Sequence, residues 1–166
     1  TFFEIMPKFE LGRIQFLSGK YGPFSPNYPV SVPLWLALFL RETNTCTIRP
    51  PREMTVDFLN RVLQFEGDND TVFHDLPFHF FSIVRQILRY SSSDIPDAAV
   101  VHRLIDELEQ RRISKITKNL NVLQSAGLTP PAFALTLTSS EWLFVKSTLQ
   151  RVINDAVELQ ARAAQR

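Results

Sequence analysis

The strongest constraint on this chain is the uneven placement of its backbone punctuation. Seven of its 11 prolines and three of its five glycines fall within the first 51 residues, and the pair Pro50-Pro51 closes that stretch. Neither proline can donate to a strand ladder, and each pushes the residue before it toward extended backbone. The pair is therefore expected to end a β-rich part and to mark a domain junction. Before it, β-type runs at Phe2 to Met6, Arg13 to Leu17, Val30 to Val32 and Thr45 to Arg49 alternate with turn signals. Those signals are Gly19, Gly22-Pro23, Ser25-Pro26-Asn27 and Pro29. One short helix is expected inside this part, with Pro33 at its tolerated first position, Leu34 to Leu40 as its body and Asn44 as its stop. A helix that apolar requires cover on most sides.

Beyond Pro51 the apolar period becomes helical. Helices are expected over Met54 to Phe65, over Pro77 to Tyr90 with Phe81, Val84 and Leu88 on one face, over Asp97 to about Leu123, and over Ser139 to about Ala164. The third carries a stripe of Val101, Leu104, Ile105, Leu108, Ile116, Leu120 and Leu123. The fourth opens with a capping box, Thr138 followed by Glu141, and its stripe is Trp142, Val145, Leu149, Val152, Ile153 and Ala156. Gly127 and Pro130-Pro131 mark the loop between them, Leu135-Thr136-Leu137 reads as a short extended piece, and Ser91-Ser92-Ser93 reads as a linker. The expected class is α+β, mainly α: a small β-rich domain over 1–51 followed by a helical bundle domain over 52–166.

Composition excludes several functional classes. At 166 residues and 45% hydrophobic content the chain is long and apolar enough to fold around a core, which excludes disorder. A net charge of +1 gives neither the field of a dedicated nucleic-acid binder nor an acidic tail. Cys46 is the single cysteine, which excludes an internal disulfide, a redox pair and a cysteine-rich zinc site and suits a reducing compartment. The longest apolar run, Pro33 to Leu40, is far short of the ~18 to 20 residues of a membrane span. Because the chain opens at Thr1 without a methionine, residues are expected to be missing before it.

A search for reactive motifs nominates no catalytic, metal-binding or cofactor-binding residue. Around Gly19-Lys20 the positions that a phosphate loop requires hold Ile14 and Tyr21 instead of Gly and Ser or Thr. His74 and His79 bracket Asp75 with Pro77 between them and share no helical face, and His102 stands alone. The polar signal that remains lies on the third helix, where Asp106, Glu107 and Glu109 precede Arg111, Arg112, Lys115 and Lys118. One reading is a solvated ladder of Arg103, Glu107 and Arg111 at i,i+4. The other notes that Arg112 sits in the apolar stripe, four residues after Leu108 and four before Ile116. An arginine there requires a carboxylate, from its own chain or from a partner. The stripes are also broad enough to bury against another chain, so Leu104, Leu108, Arg112, Lys115, Ile116, Trp142 and Leu149 are the candidate subunit-interface residues.

Read in order, five motifs resemble one family: Gly22-Pro23-Phe24 with Pro26, Val32-Pro33-Leu34-Trp35-Leu36-Ala37, Cys46-x-Ile48-x-Pro50-Pro51, Asp94-Ile95-Pro96 and Arg112-Ile113-x-Lys115. The chain resembles the GINS complex family, its Psf-two subunit in particular, from about Phe3 to Leu120. Gly22, Pro23, Phe24, Pro33, Leu34, Trp35, Pro50 and Pro51 form the signature of the β-rich part. After Gly127 the pattern departs, since Leu135-Thr136-Leu137 is followed by Thr138-Ser139-Ser140 before Glu141 where the family places an acidic residue sooner.

The resemblance implies a β-rich domain followed by a helical domain, no cofactor and no catalysis. It implies a structural subunit of a nuclear heterotetramer with three paralogous subunits. It further implies assembly with the MCM helicase hexamer and its Cdc-type co-activator into the eukaryotic replicative DNA helicase, for replication initiation and fork progression. The replicative polymerase would be met indirectly and DNA at most weakly; no membrane and no small-molecule ligand are implied. Two alternatives stay open. One is a single-stranded nucleic-acid-binding adaptor using Arg111, Arg112, Lys115 and Lys118, with Trp35 or Trp142 as a stacking platform. The other is an enzyme whose site carries no readable motif.

Overall fold

The structure is a computed structural model and describes residues 2–126, 136–147 and 150. The chain runs β1 (Phe2–Pro7), β2 (Ile14–Phe16), β3 (Gly19–Tyr21), β4 (Val30–Pro33), α1 (Leu34–Glu42), β5 (Cys46–Ile48), a 3-10 turn (Arg52–Met54), α2 (Val56–Asp68), α3 (Phe80–Ser91), a second 3-10 turn (Ser92–Asp94) and α4 (Ala98–Ala126). A further helical segment, α5, covers 139–147. The fold class is the α+β one expected, with the strands first and the long helices after.

Period-two alternation builds the sheet. β1 buries Phe3, Ile5 and Pro7 and exposes Phe2 and Glu4. It is the centre of an antiparallel sheet in the order β4-β1-β5, with Phe3 opposite Val32 and Ile5 opposite both Val30 and Ile48. Phe3, Ile5, Val32 and Ile48 are buried, and α1 packs on this sheet through Leu36 and Ala37. Pro33 sits at the N-cap of α1 with extended backbone, and Asn44, at φ 56°, closes its far end by donating its N–H to the Arg41 carbonyl at 2.9 Å. Both ends of the helix lie where Pro33 and Asn44 imply. Its cover does not: Trp35 is 48% and Phe39 59% exposed, so the described residues shield only one side of it.

The run Arg13 to Leu17 is a strand only over Ile14–Phe16, and it pairs with a strand at Gly19–Tyr21 that the turn signal conceals. Gly19 belongs to both, because it opens β3 at φ 137°. The Gly22-Pro23-Phe24 signature has a steric basis. Gly22 lies at φ 104°, where a Cβ would come within 3.1 Å of both the Gly12 carbonyl oxygen and the Phe24 ring. Phe24 is buried and exchanges two backbone hydrogen bonds with Leu11.

α2, α3 and α4 begin later than their apolar period suggests, at Val56, Phe80 and Ala98 in place of Met54, Pro77 and Asp97. Thr55 caps α2, its hydroxyl accepting the Phe58 N–H at 3.4 Å, so the regular turns start at Val56 and not at Met54. Asp97 adopts φ 53° and its carbonyl takes the N–H groups of Val100 and Val101, so α4 begins at Ala98. Ser91-Ser92-Ser93 is more than a linker: Ser91 is buried and its hydroxyl donates to Asp94 at 2.7 Å. Leu149 and the stripe beyond it, the loop from Gly127 to Leu135 and the side chains of Leu120 and Leu123 lie outside the described residues.

Contacts divide the chain into two compact units, Thr1–Leu63 with Ile83–Asp106 and Gln64–Ser82 with Glu107–Arg166. The first unit extends past Pro50-Pro51 for a physical reason. Asp94 accepts the Ile48 N–H at 2.9 Å and the Arg41 guanidinium at 2.7 and 3.0 Å, which ties the end of α3 to the edge of the sheet.

Cys46 belongs to that sheet; its side chain is fully buried, and burial pushes its thiol up to about 11. The thiolate is the reactive form. Thiol titration of the native chain at neutral pH is therefore expected to show almost no labelling, with full labelling once denaturant is added.

Candidate functional site

Two charged clusters dominate the interior, one in each unit. In the second, α4 places Arg112 and Lys115 three residues apart and so on one face. Glu66 comes from α2 and Glu141 from α5. Arg112 is fully buried and donates to Glu66 Oε1 at 2.6 Å, to Glu141 Oε1 and Oε2 at 2.6 and 3.1 Å, to the His74 carbonyl at 2.9 Å and to the Thr136 carbonyl at 3.1 Å. A guanidinium has five N–H groups, and all of them are spent here. Lys115 donates to Glu66 Oε2 at 2.7 Å and to the Val72 carbonyl at 2.6 Å. The Phe73 ring lies 5.0 Å from the Arg112 guanidinium carbon and 4.7 Å from Lys115 Nζ. Glu66 also accepts the His74 N–H at 2.9 Å.

Glu141 has a second task. Its Oε2 accepts the Thr138 N–H at 2.8 Å, which is one half of the capping box, while the Thr138 hydroxyl lies 3.3 Å from the Ser140 hydroxyl. One carboxylate thus caps α5 and holds Arg112 by a two-pronged bond. Two buried cations meet two buried carboxylates, and among the described residues no buried side-chain polar atom lacks a partner. Beside this cluster Phe73, Ile116, Leu137 and Val145 form an apolar core. The arrangement orients chain segments; with its N–H groups consumed, the guanidinium has none to offer a ligand.

This answers the two readings of α4. Arg111 is the solvated member, with its exposed guanidinium 3.0 Å from Glu107. Arg112 is the buried one, and its carboxylates come from its own chain. The candidate interface set changes accordingly. Leu104, Leu108, Arg112, Lys115 and Ile116 are all buried within the chain, so they present no surface to a second subunit; Trp142 stays 40% exposed, beside Leu143 at 71%. The nucleic-acid set is broken for the same reason. Arg112 and Lys115 point inward, which leaves Arg111 and Lys118 outside and no shared basic surface of the four. Among the described residues no group of His, Cys, Asp and Glu could hold a metal, and no helix is long and apolar enough to cross a membrane.

Glu66 was not singled out in the sequence, although it carries the same signal as Arg112. It follows Leu59, Val62 and Leu63 at helical spacing, so it too is a charge in an apolar stripe. In the first unit the family motif Asp94-Ile95-Pro96 marks the second cluster. Burial alone pushes the Asp94 carboxyl up, but the hydrogen bonds from Arg41, Ser91 and the Ile48 N–H outweigh it and hold the group below its usual value. Pro33, Leu34, Pro50 and Pro51 are half-buried around the sheet, and Pro23 and Trp35 are exposed.

Comparison with known proteins agrees with this architecture. Residues 53–155 match the family model of the GINS complex protein helical bundle domain, and residues 1–49 match that of the PSF2 N-terminal domain. The DNA replication complex GINS protein PSF2 of Homo sapiens is 34% identical over 113 residues, 68% of this chain and 60% of that protein. The protein of that name from Xenopus laevis is 32% identical over 113 residues, with the same shares of 68% and 60%. Its counterpart from Schizosaccharomyces pombe is 28% identical over 128 residues, 77% of this chain and 69% of that protein. The chain belongs to the GINS complex protein family, in its PSF2 group. It spans about 60% of the length of the human and frog relatives.

Chemical denaturation of single variants checks both clusters. Arg112→Ala strands two buried carboxylates and is expected to cost ~3 to 5 kcal/mol, Arg111→Ala well under ~1 kcal/mol, and Arg112→Lys a value in between, because a point charge cannot replace a planar fork. Asp94→Asn is expected to cost ~1.5 to 3 kcal/mol near neutral pH. A carboxylate whose folded pKa is depressed stabilises above its unfolded pKa, ~3.9, and loses that contribution as pH falls through the folded value. The gap in urea midpoint between wild type and Asp94→Asn should therefore be full near neutrality and close below about pH 4.

Proposed function

We propose that this chain is a noncatalytic structural subunit of a heterotetrameric GINS complex acting in DNA replication in the nucleus, with three paralogous subunits as its immediate partners. In this reading residues 1–51 and 52–166 are its two domains. The tetramer joins the MCM ring and its Cdc-type co-activator to form the replicative helicase, and meets the polymerase indirectly. The observation that carries the reading is the order of the two family matches in one chain, the PSF2 N-terminal domain over 1–49 and the helical bundle domain over 53–155. The geometry supports a framework role, since the largest buried polar cluster is closed on itself.

The contact surface we assign to a sister subunit is the outer side of α5. Trp142 and Leu143 stand adjacent and exposed there, beside Lys146. Adjacent exposed apolar side chains of that size within a polar surrounding mark protein contacts. Leu149, proposed for the same stripe, lies outside the described residues.

Co-expression with the three paralogous subunits, followed by size-exclusion chromatography with light scattering, tests the reading. A complex with one copy of each chain is expected, while the chain alone should self-associate. Trp142→Glu combined with Leu143→Glu should reduce tetramer recovery about tenfold, the effect of losing ~1.4 kcal/mol or more of contact energy, with little change in the melting of the isolated chain. A sharp monomer that ignores its paralogues would overturn the proposal.

A further inference from the structure

The three serines that follow one another at the end of α3 are alike in the sequence and differ in what the fold does with each. Ser91 is buried, and its hydroxyl is spent on Asp94 at 2.7 Å. The Ser93 hydroxyl receives the Arg41 guanidinium at 2.6 Å. Ser92 lies between them, exposed, in the 3-10 turn. Three residues before it stands Arg89, also exposed, with its guanidinium 5.6 Å from the Tyr90 ring centre.

An arginine three residues ahead of a hydroxyl is a charge pattern read by protein kinases whose substrate cleft is acidic. The spacing occurs three times in the sequence, as Arg52 with Thr55, Arg89 with Ser92 and Arg111 with Ser114. A kinase takes its substrate as an extended segment, so local structure decides which of the three is usable. Thr55 caps α2, donating its hydroxyl to the Arg52 carbonyl at 2.8 Å and accepting the Phe58 N–H, and extending that segment removes the cap. Ser114 sits inside the 29-residue α4, where unwinding would withdraw Arg112 from its carboxylates. Opening the last turn of α3 gives up little beyond the Ser91 bond to Asp94, because helix ends are the first parts to open.

The fold also provides for the product. Ser92 lines a groove of about 510 Å³ together with His102 and Arg103 of α4, all within the first unit. Arg103 is exposed, and Glu107, the carboxylate one turn further on, is taken by Arg111 at 3.0 Å. The acidic side chain in the lining, Asp106, is paired with His102 at 3.0 Å, and Asp94 is turned to Arg41. A phosphate on Ser92 therefore shares its groove with a guanidinium, whose planar fork matches phosphate oxygens.

We propose that Ser92 is a phosphorylation site for a kinase that selects arginine three residues upstream, and that Arg103 holds the resulting phosphate in the groove. Ser92 Oγ attacks the terminal phosphorus of a nucleoside triphosphate, the bond from that phosphorus to the diphosphate leaving group breaks, and the hydroxyl proton passes to the base of the kinase. The site is available whichever complex the chain enters.

The test uses the full chain, alone or in the complex it co-purifies with, and three peptides that carry the Thr55, Ser92 and Ser114 segments without the fold. Each is incubated with ATP and calmodulin-dependent protein kinase, which selects this arginine, and the modified residues are located by mass spectrometry. The peptides are expected to be modified at all three hydroxyls and the chain at Ser92 alone. Arg89→Ala should lower kcat/KM for the chain about tenfold. The phosphorus resonance is then followed against pH. A phosphoserine loses its second proton near pH ~6, and in the folded chain this step is expected about half a unit lower than in the peptide, with Arg103→Gln abolishing the difference. Both arginines are exposed, so neither variant removes a core contact. Modification of the chain at Thr55 or Ser114 in place of Ser92, a Ser92 segment that the kinase ignores in chain or peptide, or a rate indifferent to Arg89→Ala would overturn the proposal. So would a phosphate that titrates alike in chain and peptide, or one that Arg103→Gln leaves unchanged.

Discussion

A guanidinium inside a protein is tolerable only when each of its N–H groups finds an acceptor, and Arg112 meets that demand in a way that fixes its surroundings. Its acceptors belong to α2, to the segment ahead of α3, to the residues just before α5 and to α5 itself. Moving any of these segments would leave a buried charge without compensation, a cost of several kcal/mol per ion. The cluster is not thereby a large net source of stability, since a well-packed apolar replacement of the whole set can be equally stable. Its effect is positional: it admits one arrangement of these segments and penalises the others. For the structural subunit proposed above, that restriction would be the useful property.

The Asp94 cluster acts in the same manner on the first unit, at smaller scale. One carboxylate gathers the side chains of Arg41 and Ser91 and the backbone of Ile48, and so connects α1, the turn after α3 and the edge of the sheet. Covering the Ile48 N–H also removes a donor that an open sheet edge would otherwise offer to another strand. Among the described residues, apolar side chains left exposed outside these two interiors include the aromatic side of α1 and the Trp142-Leu143 pair of α5. Their chemistry differs: the first faces arginines across a groove, and the second stands on a single helix.

Much of the fold was legible because its signals are local. Pro33 and Asn44 set the ends of α1 through backbone preferences that act within one or two residues. The stripe of α4 was legible through its period, and the misfit of Arg112 within it pointed to a buried ion pair before any partner was known. β3 was missed because its opening glycine serves a turn and a strand together. At Glu66 the same signal, a charge in line with Leu59, Val62 and Leu63, is present in the sequence, but it does not name the distant Arg112 and Lys115 as the cations that make its burial possible.

The sequence by itself determined the order of strands and helices, the need of Arg112 for a carboxylate and the family to which the chain belongs. These follow from spacing and residue type, which are properties of the chain as written. Only the tertiary structure decided that the carboxylates are Glu66 and Glu141, 46 and 29 residues away from Arg112, and that five of the seven candidate interface residues are turned inward. The reason is that pairing between distant segments depends on how they pack. An apolar or charged stripe states that a residue needs a partner, and packing alone states whether that partner is the chain's own or another molecule's.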